Sequence, residues 1–435
     1  MKIFLKSKLL GLTVISGSAR LFGLIRDVLF ASVYGTGILA AAYEGAARIP
    51  ISLFDIFFGC AIGNALIPII CHARCDGEDR GDAFANGSAG VILLASSAIT
   101  LIGMICSNVI LHFFTEGLSA AAFDLANTLL LTLFPTLFLN SFSYFLIAVL
   151  HSKGYFIFPA AISLSGSVLS IIYLLFTSCG IEGLALVSVF GSALQLIILY
   201  FYSKSVGYRC RPTPRLDGAY SKKALFLTLQ GALPCALTPI MELISISYSD
   251  RYMSGRGITV FLYANRIFIM CAGFFAFVFS SFLLPLLSRE EAEGRGEASR
   301  REFVRYAVLL LAILVPITLT VLIFPKEIVR MIFGHGSFDE YDVETCAGVL
   351  RTMALGIPFF AMSEISVKAY FAKRRCLYPT LCAAVSLCVF VLGLGISPYG
   401  SRMTDLSFFL AVTYIIYGVS LFVGLMIRKK EKADH

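Results

Sequence analysis

Between Ala19 and Pro68 an apolar stretch carries six charged residues, Arg20, Arg26, Asp27, Glu44, Arg48 and Asp55. A charge at bilayer depth costs roughly 2.5–3.5 kcal/mol on insertion scales, so packing alone does not account for them. Arg20 and Arg26 lie about 120° from eclipsed on a straight helix of 3.6 residues per turn, and both can border one wide polar face. Arg48 and Asp55 are seven positions apart and fall on one face of a second helix. Asp27 directly follows Arg26 and so turns to a different face, placed to meet a neighbouring helix rather than Arg26. Were each arginine tied to an acid of its own, against a shared anion site, Asp27 and Asp55 would be the acids placed for it. Later apolar runs add Glu242, Asp250 with Arg251, and Arg266. Glu364 and Lys368 have the i,i+4 spacing of an intrahelical ion pair, which predicts mutual neutralisation. The reading is of helices lining a polar, net-cationic cavity. Arg20, Arg26, Arg48 and Arg266 point into it, with Asp27, Glu44, Asp55, Glu242 and Asp250 as its acids.

The elements that must hold these charges are membrane helices. Of the 435 residues, 58% are hydrophobic and 14% charged, with mean hydropathy +0.85; a soluble domain carries about 25% charge. A closed barrel would need alternating strands, and long apolar runs stand here instead. The fold class predicted is an all-α polytopic membrane protein with about twelve spans, near 9–33, 38–70, 86–113, 123–150, 156–178, 181–202, 224–250, 258–287, 304–325, 343–372, 378–397 and 405–427. Lys2, Lys6 and Lys8 before the first run resemble a signal peptide. Arg20 and Arg26 interrupt that run and no clean cleavage site follows, so it reads as a retained span. Pro50, Pro135, Pro234, Pro239 and Pro358 lie inside spans, where bends are tolerated if neighbours or cavity water satisfy the freed carbonyls. Asp124, Arg351 and Arg402 lie near span ends and can snorkel to the interface.

Lys and Arg concentrate in alternate connections, namely the N-terminus, 71–83, 151–155, 203–223, 288–303, 373–377 and the tail from Arg428. By the positive-inside rule these face the cytosol, as do both termini, and the net charge of +8 reports topology rather than nucleic-acid binding. Arg48-Ile49, Pro68, Pro135 and Ser152-Lys153 recur as Arg266-Ile267, Pro285, Pro358 and Ala372-Lys373, each offset close to 220 positions. That predicts two parallel six-helix lobes, 1–202 and 224–435, around a central cavity, joined by a basic cytosolic linker at 203–223. The twelve Cys are scattered. Cys71, His72 and Cys75 lack a second ligand pair and read as free cytosolic thiols, not a metal site. With no Trp, Tyr and Phe must supply any interfacial belt.

RLFGLIRD from Arg20, the YGTG turn, AAYEGAARIP and ALIPI resemble the opening of the MurJ/MviN family of lipid II flippases, within the superfamily of drug and oligosaccharide-lipid exporters. Asp250-Arg251, YANRI at 263–267, LLPLLSR at 283–289, the 331–360 segment and KAYFAKRRCLYP at 368–379 extend the resemblance over nearly the whole chain. The resemblance implies a V-shaped pair of lobes in the bacterial cytoplasmic membrane, exporting a lipid-linked cell-wall precursor by alternating access. It implies Arg20, Arg26 and Arg266 as substrate-facing, with Arg48 at a commonly basic position. It also implies sodium or proton coupling, or use of the membrane potential, with Asp250 matching an acid of a sodium site; the alternative for Asp250 is a helix-end pair with Arg251. The partners implied are the precursor, the bilayer and envelope-synthesis proteins, with no nucleic acid and no cofactor. The family usually has fourteen spans. It often has paired arginines where Phe54 and Asp55 stand, and an acid where Ala41 stands. Chemically, a pyrophosphate's two negative charges suit planar guanidinium forks.

Two other functions remain open. A multidrug-type cation antiporter of the same superfamily would use Glu44, Asp55 and Glu242, though Arg20, Arg26, Arg48 and Arg266 repel a cationic cargo. A non-transporting envelope scaffold would leave the cavity charges without a role. No catalytic triad, nucleotide loop or metal cluster appears in the sequence, which predicts a transporter and not an enzyme.

Overall fold

The computed structural model describes residues 2–59, 61–115, 117–176, 180–213, 218–253, 255–373, 375, 377–396 and 403–427. Arg402, Pro214 and the tail from Arg428 lie outside the described residues. Every regular element among those described is helical. Among the described residues ten helices are long and apolar enough to cross a membrane, or eleven when one bent pair counts as a single span. The predicted first span is the 33-residue helix Lys2–Tyr34, whose later turns carry Arg20, Arg26 and Asp27. Large apolar side chains such as Leu101, Ile105, Phe176 and Phe190 stand exposed on helix surfaces, as a lipid solvent requires.

Packing divides the chain into two units, one of 1–259 with 335–338 and one of 260–334 with 339–435. The sequence-based lobes follow the internal repeat, and these units follow which backbone segments lie close together. The two partitions differ in the helix Gly218–Met253, which opens the second repeat yet packs within the first unit.

The first unit contains α1 (Lys2–Tyr34), α2 (Ile38–Phe54), α3 (Ile67–Cys75), α4 (Glu78–Ile105), α5 (Ser107–Phe114), α6 (Ala120–Leu133), α7 (Pro135–Ser152), α8 (Ile157–Ile162), α9 (Ser165–Phe176), α10 (Gly180–Ser205) and α11 (Gly218–Met253). It also holds the first turn of α12 (Arg256–Ala292). Between α2 and α3 the backbone widens into π-helical turns at Asp55–Gly59 and Ala61–Leu66. Pro68, at the start of α3, lacks the N–H that an α-register would donate to position 64, so the ladder is already interrupted there. The unit's core gathers Phe54, Phe58, Phe142, Phe145, Leu146, Leu150 and Tyr208. Beyond α10 the chain is tied down by Asn86: the Tyr208 hydroxyl and the Arg211 amide both donate to its Oδ1, at 2.9 and 3.0 Å. Arg74 donates to Asp82 at 2.9 Å and to the Ser152 hydroxyl at 2.7 Å, and Lys153 lies 3.7 Å from Asp82.

The second unit continues α12 and adds α13 (Gly296–Ile323), α14 (Pro325–Phe333), α15 (Glu340–Ala354), α16 (Ile357–Ala372), α17 (Leu377–Ile396) and α18 (Met403–Ile427). Phe268, Phe360 and Tyr414 join α12, α16 and α18 in one ring cluster, with centroids 5.1–5.6 Å apart. Gly418 lets α18 approach α16 closely, since a Cβ there would sit 2.5 Å from the Phe359 carbonyl oxygen. Asp339 and Asp342 form a reciprocal capping box that starts α15. α15 and α16 meet at a 50° bend just before Pro358, and Pro135 likewise starts α7 after α6. Both repeat-related prolines stand in the first turn of a helix, but Ala120–Ser152 still runs as one span of 33 residues, whereas Pro50, Pro234 and Pro239 sit inside continuous helices. Lys153 and Lys373, also repeat-related, each face an acid of their own unit, Asp82 and Glu291. α14 is a short amphipathic helix that hydropathy did not separate from its surroundings; Val329 and Phe333 face inward and Arg330 pairs with Glu340. Asp124 and Arg351 are exposed near helix ends.

Candidate functional site

α2 owes its position to small residues. Ala40, Ala41, Ala42, Gly45 and Ala46 are all buried, and the helix packs against α6, α7 and α11. The buried stripe sets Arg48 opposite Glu242 of α11, and the two form an ion pair through Arg48 Nη2 and Glu242 Oε2. Arg48 keeps 28% of its side-chain surface and Glu242 only 8%, so Arg48 is the more open partner. Arg48 Nε is buried with no hydrogen-bond partner. Asp55, at the first π-turn, is a second carboxylate within electrostatic reach of both Arg48 and Glu242. Its charge also faces Tyr144 of α7, whose ring lies 5.0 Å from that of Phe54.

This differs from the expectation at two points. Arg48 takes Glu242 as its direct partner rather than Asp55, because α11 lies alongside α2. Asp27 does meet Arg26: Arg26 Nε and Nη2 donate to its Oδ1 at 3.0 and 2.8 Å. Successive Cβ atoms do point 100° apart, but the long arginine stem reaches around that angle. Arg26 remains 40% exposed in this pair and Asp27 12%. Arg26 and Arg48 thus each carry a neighbouring carboxylate within the first unit. Arg20 is half-buried on α1. Glu44 is buried on α2, next to Tyr43, whose hydroxyl meets that of Ser188 at 3.1 Å.

Asp250 is fully buried near the end of α11 and accepts a 2.6 Å hydrogen bond from the Gly117 amide. Arg251 lies over the Tyr248 ring at 5.3 Å. A sodium ion at Asp250 would need further oxygen ligands, and one of its carboxylate oxygens already accepts from an N–H. Among the described residues no three His, Cys, Asp or Glu side chains gather as a metal site. In the second unit Arg266 stacks over Tyr263 at 5.4 Å. Lys368 is the charge facing Glu364 on α16, in line with the i,i+4 expectation.

Two features had escaped sequence reasoning. Tyr144 carries no charge, and nothing in its apolar run marks it. The segment 335–338 packs as a strap on the end of α1: the Ser337 amide donates to the Ser32 carbonyl at 2.8 Å and its hydroxyl to the Val33 carbonyl at 3.0 Å. Gly336 takes φ +65° in this strap, and a Cβ there would lie 2.2 Å from Ser32 O. The signal available in the sequence was HGS, a turn dense in small residues.

The family model described as lipid II flippase MurJ matches residues 30–433. Arg20, Arg26 and Asp27 lie just upstream of that match. The chain is 26% identical over 394 residues to a probable lipid II flippase MurJ of Vibrio cholerae, covering 86% of this chain and 73% of that protein. It is 25% identical over 376 residues to one from Aquifex aeolicus, covering 85% and 72%. Among solved structures it superposes on a lipid II flippase MurJ in an inward closed conformation with TM-score 0.80, at 20% identity, over 95% of this chain and 87% of that one. It also superposes on an inward-facing multidrug resistance transporter of the MATE family with TM-score 0.78, at 13% identity, over 95% and 97%. At such identities the superpositions establish the fold shared by the two families and do not choose between them.

Proposed function

This chain belongs to the MurJ family of lipid II flippases, and we propose that it moves an undecaprenyl-pyrophosphate-linked peptidoglycan precursor from the inner to the outer face of the bacterial cytoplasmic membrane by alternating access. The observation that carries the reading is the family match running from the end of α1 to the end of α18. In this reading Arg20, Arg26 and Arg266, with Arg48, hold the pyrophosphate. Guanidinium forks supply paired, charge-assisted hydrogen bonds there, while the polyprenyl tail stays in lipid. The repeat lobes 1–202 and 224–435 alternate about the 203–223 linker, both termini face the cytosol, and an ion gradient or the membrane potential drives the cycle. The multidrug-type reading of the same fold is weaker, because arginines repel a cationic cargo. The test is complementation of a strain depleted of its own flippase, followed by accessibility of the precursor at the outer membrane face. Growth with outward-exposed precursor is the expected result. A protein that accumulates in the membrane yet exposes no precursor overturns the reading.

A further inference from the structure

A carboxylate already sits on the guanidinium that the proposed function assigns to a phosphate. Glu242 occupies one edge of Arg48 from α11, and Asp55 adds a second negative charge within reach. The pair is asymmetric. Glu242 is almost enclosed, whereas Arg48 keeps open surface, and its Nε is a donor without a partner. An anion reaching Arg48 therefore competes with Glu242 for the same fork. A carboxylate and a phosphate oxygen ask for the same charge-assisted N–H donors, and guanidinium geometry suits both. The neighbouring backbone is the π-helical turn, a local register that recurs at functional sites.

We propose that Glu242 is an internal stand-in for the substrate anion, holding Arg48 until a pyrophosphate headgroup displaces it and returning to Arg48 to expel that headgroup. The inference rests on the anion-binding reading above and adds the residue that sets how tightly the anion is held. Glu242 acts through Arg48 and is a positioning residue. Weak holding serves a carrier, because a headgroup clamped by an uncontested guanidinium is released slowly.

The test uses the purified full chain in detergent, with farnesyl pyrophosphate as probe and farnesol as the uncharged control with the same tail. Glu242→Gln is expected to tighten farnesyl pyrophosphate binding about tenfold, Asp55→Asn to tighten it by a smaller factor, and Arg48→Gln to weaken it. In the double variant Arg48→Gln/Glu242→Gln the gain should vanish, because the stand-in works only through Arg48; a merely structural Glu242 would not give that dependence. If Glu242→Gln does not accumulate, Asp55→Asn carries the comparison. Affinity at or below wild type in the carboxylate variants, with Arg48→Gln still weakened, overturns the stand-in while leaving anion binding intact. Affinity unchanged by Arg48→Gln and Arg26→Gln, or farnesol bound equally well, overturns the anion-binding reading and the stand-in with it.

Discussion

Glu242 of α11 closes on Arg48 of α2 across 194 positions of sequence, a long-range ion pair that ties these two helices. Removing one partner of a buried pair typically costs about 3–5 kcal/mol, because a charge is left uncompensated. Here the two partners are not equivalent. Loss of Glu242 leaves Arg48 facing Asp55, an acid still in reach. Loss of Arg48 leaves two carboxylates facing each other. Arg48→Met should therefore lower the melting temperature in detergent clearly more than Glu242→Gln, and Asp55→Asn added to Arg48→Met should recover part of the loss. Equal drops for the two single variants, with no recovery, would remove Asp55 from the cluster.

The strap at 335–338 yields a second expectation. Gly336 combines a left-handed φ of +65° with a backbone approach that leaves no room for a Cβ, 2.2 Å from Ser32 O. Alanine there is strained by its backbone angle and blocked by an oxygen that cannot rotate away. Gly336→Ala should lift the strap and break the 2.8 Å bond from the Ser337 amide to Ser32. Hydrogen exchange read at Ser337 should be slow in wild type and fast in the variant, with little change at the buried ring cluster of Phe268, Phe360 and Tyr414. Unchanged protection at Ser337 would mean that the strap is held by something other than this contact.

Much of the helical layout was legible because a lipid-spanning helix must be long and apolar, but proline alone did not mark the breaks: Pro358 follows a 50° bend, while Pro50, Pro234 and Pro239 lie inside continuous helices. The charged residues of the site were legible for the related reason that a charge within such a run is costly. Their pairing was not. Whether Glu242 or Asp55 takes Arg48 depends on which helix lies beside α2, and no local pattern encodes that neighbour. The Arg26–Asp27 pair was misread because Cβ directions were applied to a side chain long enough to bend back on its own helix. The π-turns at 55–66 were invisible as well, since hydropathy does not distinguish an i+4 ladder from an i+5 one.

The Arg26–Asp27 pair also changes how Arg26 is to be tested. With 40% of the Arg26 side chain exposed, a pair between adjacent residues contributes at most about 1 kcal/mol to stability. Arg26→Ala and Arg26→Lys should therefore both accumulate at close to wild-type level. If Arg26 grips a pyrophosphate, the two variants separate in function. Lysine keeps the charge but offers no pair of parallel donors, so it should lose much of the export, and alanine should lose nearly all of it. If Arg26 serves only to neutralise Asp27, lysine should export like wild type, and Asp27→Asn should rescue the alanine variant. The measurement is outward-exposed precursor per unit of membrane protein for the wild-type, Lys, Ala and Ala/Asp27→Asn forms. A graded loss from wild type through Lys to Ala, without rescue by Asp27→Asn, assigns Arg26 to the headgroup. Full activity in the Lys form, or rescue by Asp27→Asn, assigns it to its neighbour.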